Sequence, residues 1–229
     1  MNLDIEGLLV AYGVFVVALS AHEGAHALVA KWGGDWTAFS RGQASLNPVP
    51  HMRREPAGMV VVPILTYVSG GFMMGWASVP YHPDWARRFP KRAALMAAAG
   101  PAANAILVGI STLIIVWACN EAQWRLAFRG WDELVVTEIG ATNLYTRALS
   151  MAWMQNLLLV AFNLIPVPPL DGAAILGGML PARLRSLWMT ALADPRVAGF
   201  GLLFVWLGFG KFWRPILSVA YGFLAGLLS

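Results

Sequence analysis

Residues 8–28 read LLVAYGVFVVALSAHEGAHAL, an apolar run that carries no formal charge before Glu23. A stretch of this kind reaches the ~20 residues that a membrane-crossing helix needs. Inside it lie the ionisable residues His22, Glu23 and His26, and each such side chain near the bilayer centre costs at least ~2.5 to 3.5 kcal/mol. Together they need compensation, which a metal ion supplies. Histidines four residues apart stand one above the other on a helical face, so both imidazoles reach one Zn²⁺ and the adjacent Glu23 reaches a water beside it. Without metal the same residues would form a polar patch bonded to neighbouring helices, a reading that the membrane cost disfavours.

Composition places the rest of the chain in the same setting. Its 229 residues are 58% apolar and only 12% charged, with a mean hydropathy of +0.61. Soluble domains carry roughly 25% charged residues, so this chain has too little polar surface to clothe a globule in water. The expected class is an all-α, polytopic integral membrane protein with one domain over residues 1–229. Expected spans cover about residues 6–30, 93–119, 147–169 and 197–228, and Pro181–Arg196 reads as an amphipathic interfacial stretch. A signal-peptide reading of the first run is disfavoured, because Asp4 and Glu6 stand where a leader carries Lys or Arg. The net charge of +4 does not signal a nucleic-acid partner: the sixteen Lys and Arg residues fall in short clusters between apolar runs, the pattern of membrane topology. The single cysteine, Cys119, can form no internal disulfide, and nothing in the sequence sets an oligomeric state.

Catalytic zinc takes three protein ligands and keeps a fourth position open. His51, His82, Asp171 and the loop carboxylates are the candidates for the third, and Asp171 is the best placed. It ends the run Asn163-Leu164-Ile165-Pro166-Val167-Pro168-Pro169-Leu170-Asp171-Gly172, whose prolines cannot continue a helix. Unwound backbone at membrane depth is tolerated only where it is buried in protein or lines a watery cavity, as a hydrolytic site requires. The competing role for Asp171 is a helix N-cap.

His22 to His26, followed far downstream by Asn163 to Gly172, resembles the site-2 proteases, intramembrane zinc metalloproteases of peptidase family M50 with the signatures HExxH and NxxPxPxLDG. Ala99-Gly100-Pro101-Ala102-Ala103-Asn104 and Gly75-Trp76-Ala77-Ser78-Val79-Pro80 are similar to further family segments, the second to a GWAKPVP type with Ser78 in place of lysine. The loop Met52-Arg53-Arg54-Glu55-Pro56 also departs from the family pattern. The resemblance covers about residues 15 to 172. It implies one Zn²⁺ per chain held by His22, His26 and Asp171, Glu23 as general base, and Asn163 beside the site, bonding a substrate carbonyl or oxyanion. Gly100 is expected to allow close approach of helices and Asn104 to pack its span against the core, with no catalytic role. The implied activity is regulated intramembrane proteolysis of transmembrane protein substrates within the lipid bilayer. A metal-ion transporter or a non-hydrolytic scaffold is the alternative; a transporter predicts ionisable groups staggered through the membrane, whereas this chain offers one compact set.

For His26 and Asp171 to share a metal, their helices must run in the same direction, so an odd number of crossings separates them. Residues 93–119 cross; residues 57–80, with Pro63, Gly70-Gly71 and Pro80, are therefore expected to form a re-entrant loop, with an edge strand over 72–80. Charge agrees. On this topology Lys31, Arg41, Arg53, Arg54, Arg87, Arg88, Lys91, Arg92, Arg183, Arg185 and Arg196 fall on one side, and the positive-inside rule makes that side cytoplasmic. The expected location is a prokaryotic cell membrane, with the active site toward the cytoplasm.

Overall fold

Asp4 starts the first helix by accepting the Gly7 N–H at 2.9 Å, which satisfies one of the amides that a helix N-terminus leaves unpaired. The computed structural model describes residues 4–192 and 194–228. Helix α1 (Ile5–Trp32) is followed by α2 (Pro48–Arg54), a π-helical turn (Ala57–Val61) that continues into α3 (Val62–Gly70), α4 (Pro83–Arg88) and the long α5 (Pro90–Glu121). A short antiparallel hairpin, β1 (Arg125–Leu126) with β2 (Val135–Val136), precedes α6 (Leu144–Asn163), α7 (Asp171–Met179), α8 (Ala182–Leu192) and α9 (Pro195–Gly226). The fold is all-α and membrane-embedded in character. Helices α1 and α5 are each long and apolar enough to cross a bilayer, and α9, bent by 47° between 199–205 and 207–226, is a third if taken as one span.

Side-chain contacts fix the helix directions. At the start of α1, Asp4 pairs with Arg147 in the first turn of α6, and Arg147 also holds Asp132 of the hairpin at 3.0 Å. Toward the other end of α1, His22 and His26 meet Asp171, just past the end of α6. Helices α1 and α6 therefore run parallel. Helix α5 runs the opposite way, since Met96 in its second turn meets His26, Asn104 meets Ala18, and Thr112 further on meets Trp153 of α6.

The segment between α2 and α4 leaves from and returns to one end of α1. Met59 packs with Phe15 and Leu19, and the Tyr67 hydroxyl reaches Gly7 near the start of α1. The chain then reverses at Gly71, whose φ of 75° lies in the left-handed region, and extends back until the His82 N–H donates to Asp35 at 2.7 Å, beyond the end of α1. Ser78 Oγ, donating to Glu55 at 2.7 Å, ties the two limbs together. This is a re-entrant course. The expected edge strand over 72–80 does not form a ladder: the segment is extended, and its backbone–backbone bond is Trp76 N–H to Gly58 O at 3.1 Å. The described strand pairing lies instead between α5 and α6.

One further boundary differs from expectation. The helix expected over 147–169 stops at Asn163, because Pro166, Pro168 and Pro169 supply no N–H to carry it on. It is also less apolar than α1 and α5. Thr146, Ser150, Gln155 and Asn156 are all buried in it, since it packs against both of those helices and shows lipid less of its surface. On α1 and α5, by contrast, Leu9, Val17, Ile106, Leu113 and Trp117 stay exposed, an apolar surface that suits acyl chains.

Asp35 is the buried junction of the returning limb with α1. It accepts the Thr37 N–H at 2.9 Å, the Thr37 hydroxyl and the His82 N–H. Burial raises its pKa, but these hydrogen bonds outweigh that effect and hold the carboxyl below its ordinary value of 3.8. A lowered folded-state pKa contributes stability above about pH 4 that is lost as pH falls through the lowered value. Asp35→Ala is expected to cost about 1 to 3 kcal/mol at neutral pH, because it leaves those donors unpaired. Thermal unfolding in detergent across pH 3 to 7 checks this: the gap between wild type and variant should narrow at the acid end.

Candidate active site

His22 and His26 are buried, and the outer nitrogen of each ring is already committed. Asn104 donates its amide N–H groups to Ala18 O at 3.1 Å and Asn156 Oδ1 at 2.8 Å, which turns its Oδ1 toward His22 Nδ1 at 2.6 Å. A carbonyl oxygen only accepts, so Nδ1 of His22 carries the proton. The same holds for His26, whose Nδ1 lies 2.7 Å from Met96 O. In the neutral imidazoles both Nε2 atoms are then lone-pair donors.

Those two atoms converge on one oxygen. Asp171 Oδ2 lies 3.1 Å from His22 Nε2 and 3.3 Å from His26 Nε2. The three groups need a shared cation between them, which a proton on one imidazole supplies as an ion pair and a metal ion supplies as a coordination centre. Zinc bonds of about 2.0 to 2.2 Å in a tetrahedron set neighbouring ligand atoms about 3.3 Å apart, so the donor set fits Zn²⁺. The ligand-capable atoms of His22, Glu23 and His26 lie within 4.8 Å of one another.

The local chain courses explain why these groups meet. Helix α5 crosses directly against the two rings, and a Cβ at Gly100 would lie 2.3 Å from His26 Nε2 and 2.5 Å from His22 Nε2. Pro101 supplies no N–H to Ala97 O, next to the Met96 O that bonds His26. Helix α7 begins at Asp171 itself, with Leu170 as its N-cap and no side-chain capping bond. The N-cap reading of Asp171 therefore falls, and its carboxylate is turned to the histidines.

Glu23 is 4% exposed and has no hydrogen-bond partner among the described residues. With His22 it lines a cleft of about 270 Å³ whose other walls are the extended segment Met73–Ser78 and one face of α6, from Gln155 to Asn163. Asn163 stands at the mouth end of that face and spends one amide N–H on Leu159 O at 3.0 Å. His51 is buried against Ser45 O at 3.3 Å, and exposed His82 caps α4 by accepting the Asp84 N–H; neither joins the metal-ligating cluster. Asn104, read from the sequence only as a packing residue, is the group that orients His22. An amide inside an apolar span was the signal for it.

Outer hydrogen bonds of this kind set ligand orientation, and their loss typically costs ten- to a hundredfold in metal affinity. Asn104→Ala is expected to weaken zinc binding by about that factor, and Gly100→Ala to abolish it by driving a methyl group into both rings. Zinc titration of purified protein against a competing chelator measures both.

No protein-family model matches the chain, and no solved structure does. Two curated proteins do. It is 33% identical over 177 residues, 75% of this chain and 69% of the relative, to "Putative zinc metalloprotease YwhC" of Bacillus subtilis. It is 25% identical over 193 residues, 84% of this chain and 64% of the relative, to "Putative zinc metalloprotease Rip2" of Mycolicibacterium smegmatis. Metal-ligand geometry and kinship agree, and the chain belongs to the site-2 protease family of zinc metalloproteases.

Proposed function

We propose that this protein is an intramembrane zinc endopeptidase that cuts transmembrane protein substrates within or near their membrane-spanning segments. The observation that carries this reading is the cleft itself: Glu23, whose carboxylate bonds no described residue, opens into it beside His22, opposite an extended segment whose Gly75 and Ala77 amides are unpaired among the described residues. His22 lies about 15 Å along the helix axis from the end of α1 at Trp32. In the proposed topology that end is cytoplasmic and the chain spans the cell membrane several times.

His22, His26 and Asp171 would hold one Zn²⁺, which supplies the Lewis acidity that polarises a scissile carbonyl and acidifies water. Glu23 takes the proton from the attacking water and delivers it to the leaving amine. With no hydrogen-bond partner among the described residues and open to the cleft, its carboxylate is free for both transfers. Asn163 retains a second amide N–H, which can support the substrate carbonyl as negative charge develops on it.

A helical substrate must unwind before its carbonyls can be reached, and the extended segment offers a template for the unwound form. Met74 N–H bonds Thr66 Oγ1 at 2.9 Å and Trp76 N–H bonds Gly58 O, so these residues face the re-entrant helix. Backbone groups alternate sides along an extended chain, which leaves those of Gly75 and Ala77 toward the cleft that both residues line. A substrate strand can pair there by β-augmentation.

Two variants test the reading against a co-reconstituted single-pass substrate. Glu23→Gln is expected to lower cleavage by ~10² to 10⁴-fold while zinc content stays at wild type; cleavage by both proteins refutes the assigned base. Ala77→Pro removes one cleft-facing N–H and is expected to lower kcat/KM about tenfold. An unchanged kcat/KM, with normal zinc and thermal stability, sinks the strand-pairing step.

A further inference from the structure

Gln155 lies in the middle of α6, is 3% exposed, and its side chain has no hydrogen-bond partner among the described residues. It is nonetheless a lining residue of the cleft that holds Glu23. Its amide atoms open into that cleft rather than being enclosed in protein, so they are free to bond whatever fills it. The face it belongs to is otherwise apolar until Asn163: Leu158, Leu159 and Phe162 complete the i, i+3, i+4, i+7 stripe.

An extended peptide has two hydrogen-bonding edges. If one edge pairs with Gly75 and Ala77, the other points at α6, whose backbone amides are spent inside the helix. In a membrane-depth cleft each unsatisfied peptide group costs several kcal/mol. A carboxamide carries one donor group and one acceptor, the complement of a single residue's C=O and N–H. The geometry points to Gln155 as a substrate-binding residue that pairs with the outer edge of the unwound substrate backbone. Its neighbour Asn156 bonds Asn104, which in turn meets Ala18 and His22. Gln155 and Glu23 line the same cleft, so the peptide group that Gln155 pairs belongs to the stretch of substrate beside the scissile bond.

This inference rests on the proteolytic reading, and the experiment separates the two. Gln155→Met keeps the shape and removes donor and acceptor. Cleavage of a single-pass substrate in nanodiscs is measured alongside zinc content and thermal midpoint. The expected result is a kcat/KM lower by roughly ten- to a hundredfold, carried mainly by KM, with zinc unchanged and a thermal midpoint equal to or above wild type. A backbone ester placed in that stretch beside the scissile bond deletes the substrate N–H; it should slow wild type and have little further effect on Gln155→Met. A lowered thermal midpoint with equal ester penalties in both proteins overturns the proposal and makes Gln155 a structural residue. Affinity of the Glu23→Gln protein for the intact substrate peptide provides a readout that needs no hydrolysis. Adding Gln155→Met should weaken it about tenfold, and equal affinity overturns the proposal even if wild type cleaves nothing, an outcome that would by itself refute only the proteolytic reading.

Discussion

Two imidazole nitrogens and a carboxylate oxygen converge within 3.1 to 3.3 Å in a chain with almost no other ionisable groups at that depth. Such groups gathered in a low-dielectric interior need a shared cation, a proton or a metal ion, and much of the architecture serves to bring them together. Helices α1 and α6 must be parallel so that Asp171 arrives beside His22 and His26. Helix α5 must pass between their levels with no side chain at position 100, because the rings occupy that space. The chain after α6 must unwind, because only an irregular segment can turn the Asp171 carboxylate back toward α1.

A second network keeps the first in register. Asn104 joins α5 to α1 through Ala18 and His22 and to α6 through Asn156, so one buried amide links all three helices that surround the site. It also assigns the His22 tautomer. Orientation of the metal-facing nitrogen and packing of the bundle are thus one set of hydrogen bonds, and a polar group that would be a liability in an apolar span is fully satisfied. At the opposite end, Arg147 ties the start of α1 to the hairpin and the start of α6.

The re-entrant segment separates two environments. Its helical part fills the groove beside α1 with Met59, and its returning limb presents a backbone edge to the cleft, anchored by Asp35 and Ser78 at the end where it emerges. Ser78 stands where the family pattern has lysine, and here it bridges Glu55 and Arg54 in the loop that also departs from that pattern. The two departures are one contact.

The membrane setting, the meeting of His22, His26 and Asp171 and even the doubling back of the segment after α2 were legible in the residues alone, because each follows from local or one-dimensional constraints: apolar run length, i to i+4 spacing, prolines that end a helix, and the parity of crossings. What lay beyond sequence reasoning was lateral. Nothing in the spacing told that Asn104 orients His22, that residues 72–80 stay extended without a ladder, or that the amide of Gln155 faces the cleft while the amide of Asn163 turns partly back on its own helix. Those outcomes depend on which faces of α1, α5 and α6 meet. The pairing of faces is set by side chains distant in the chain, so only the tertiary structure decided it.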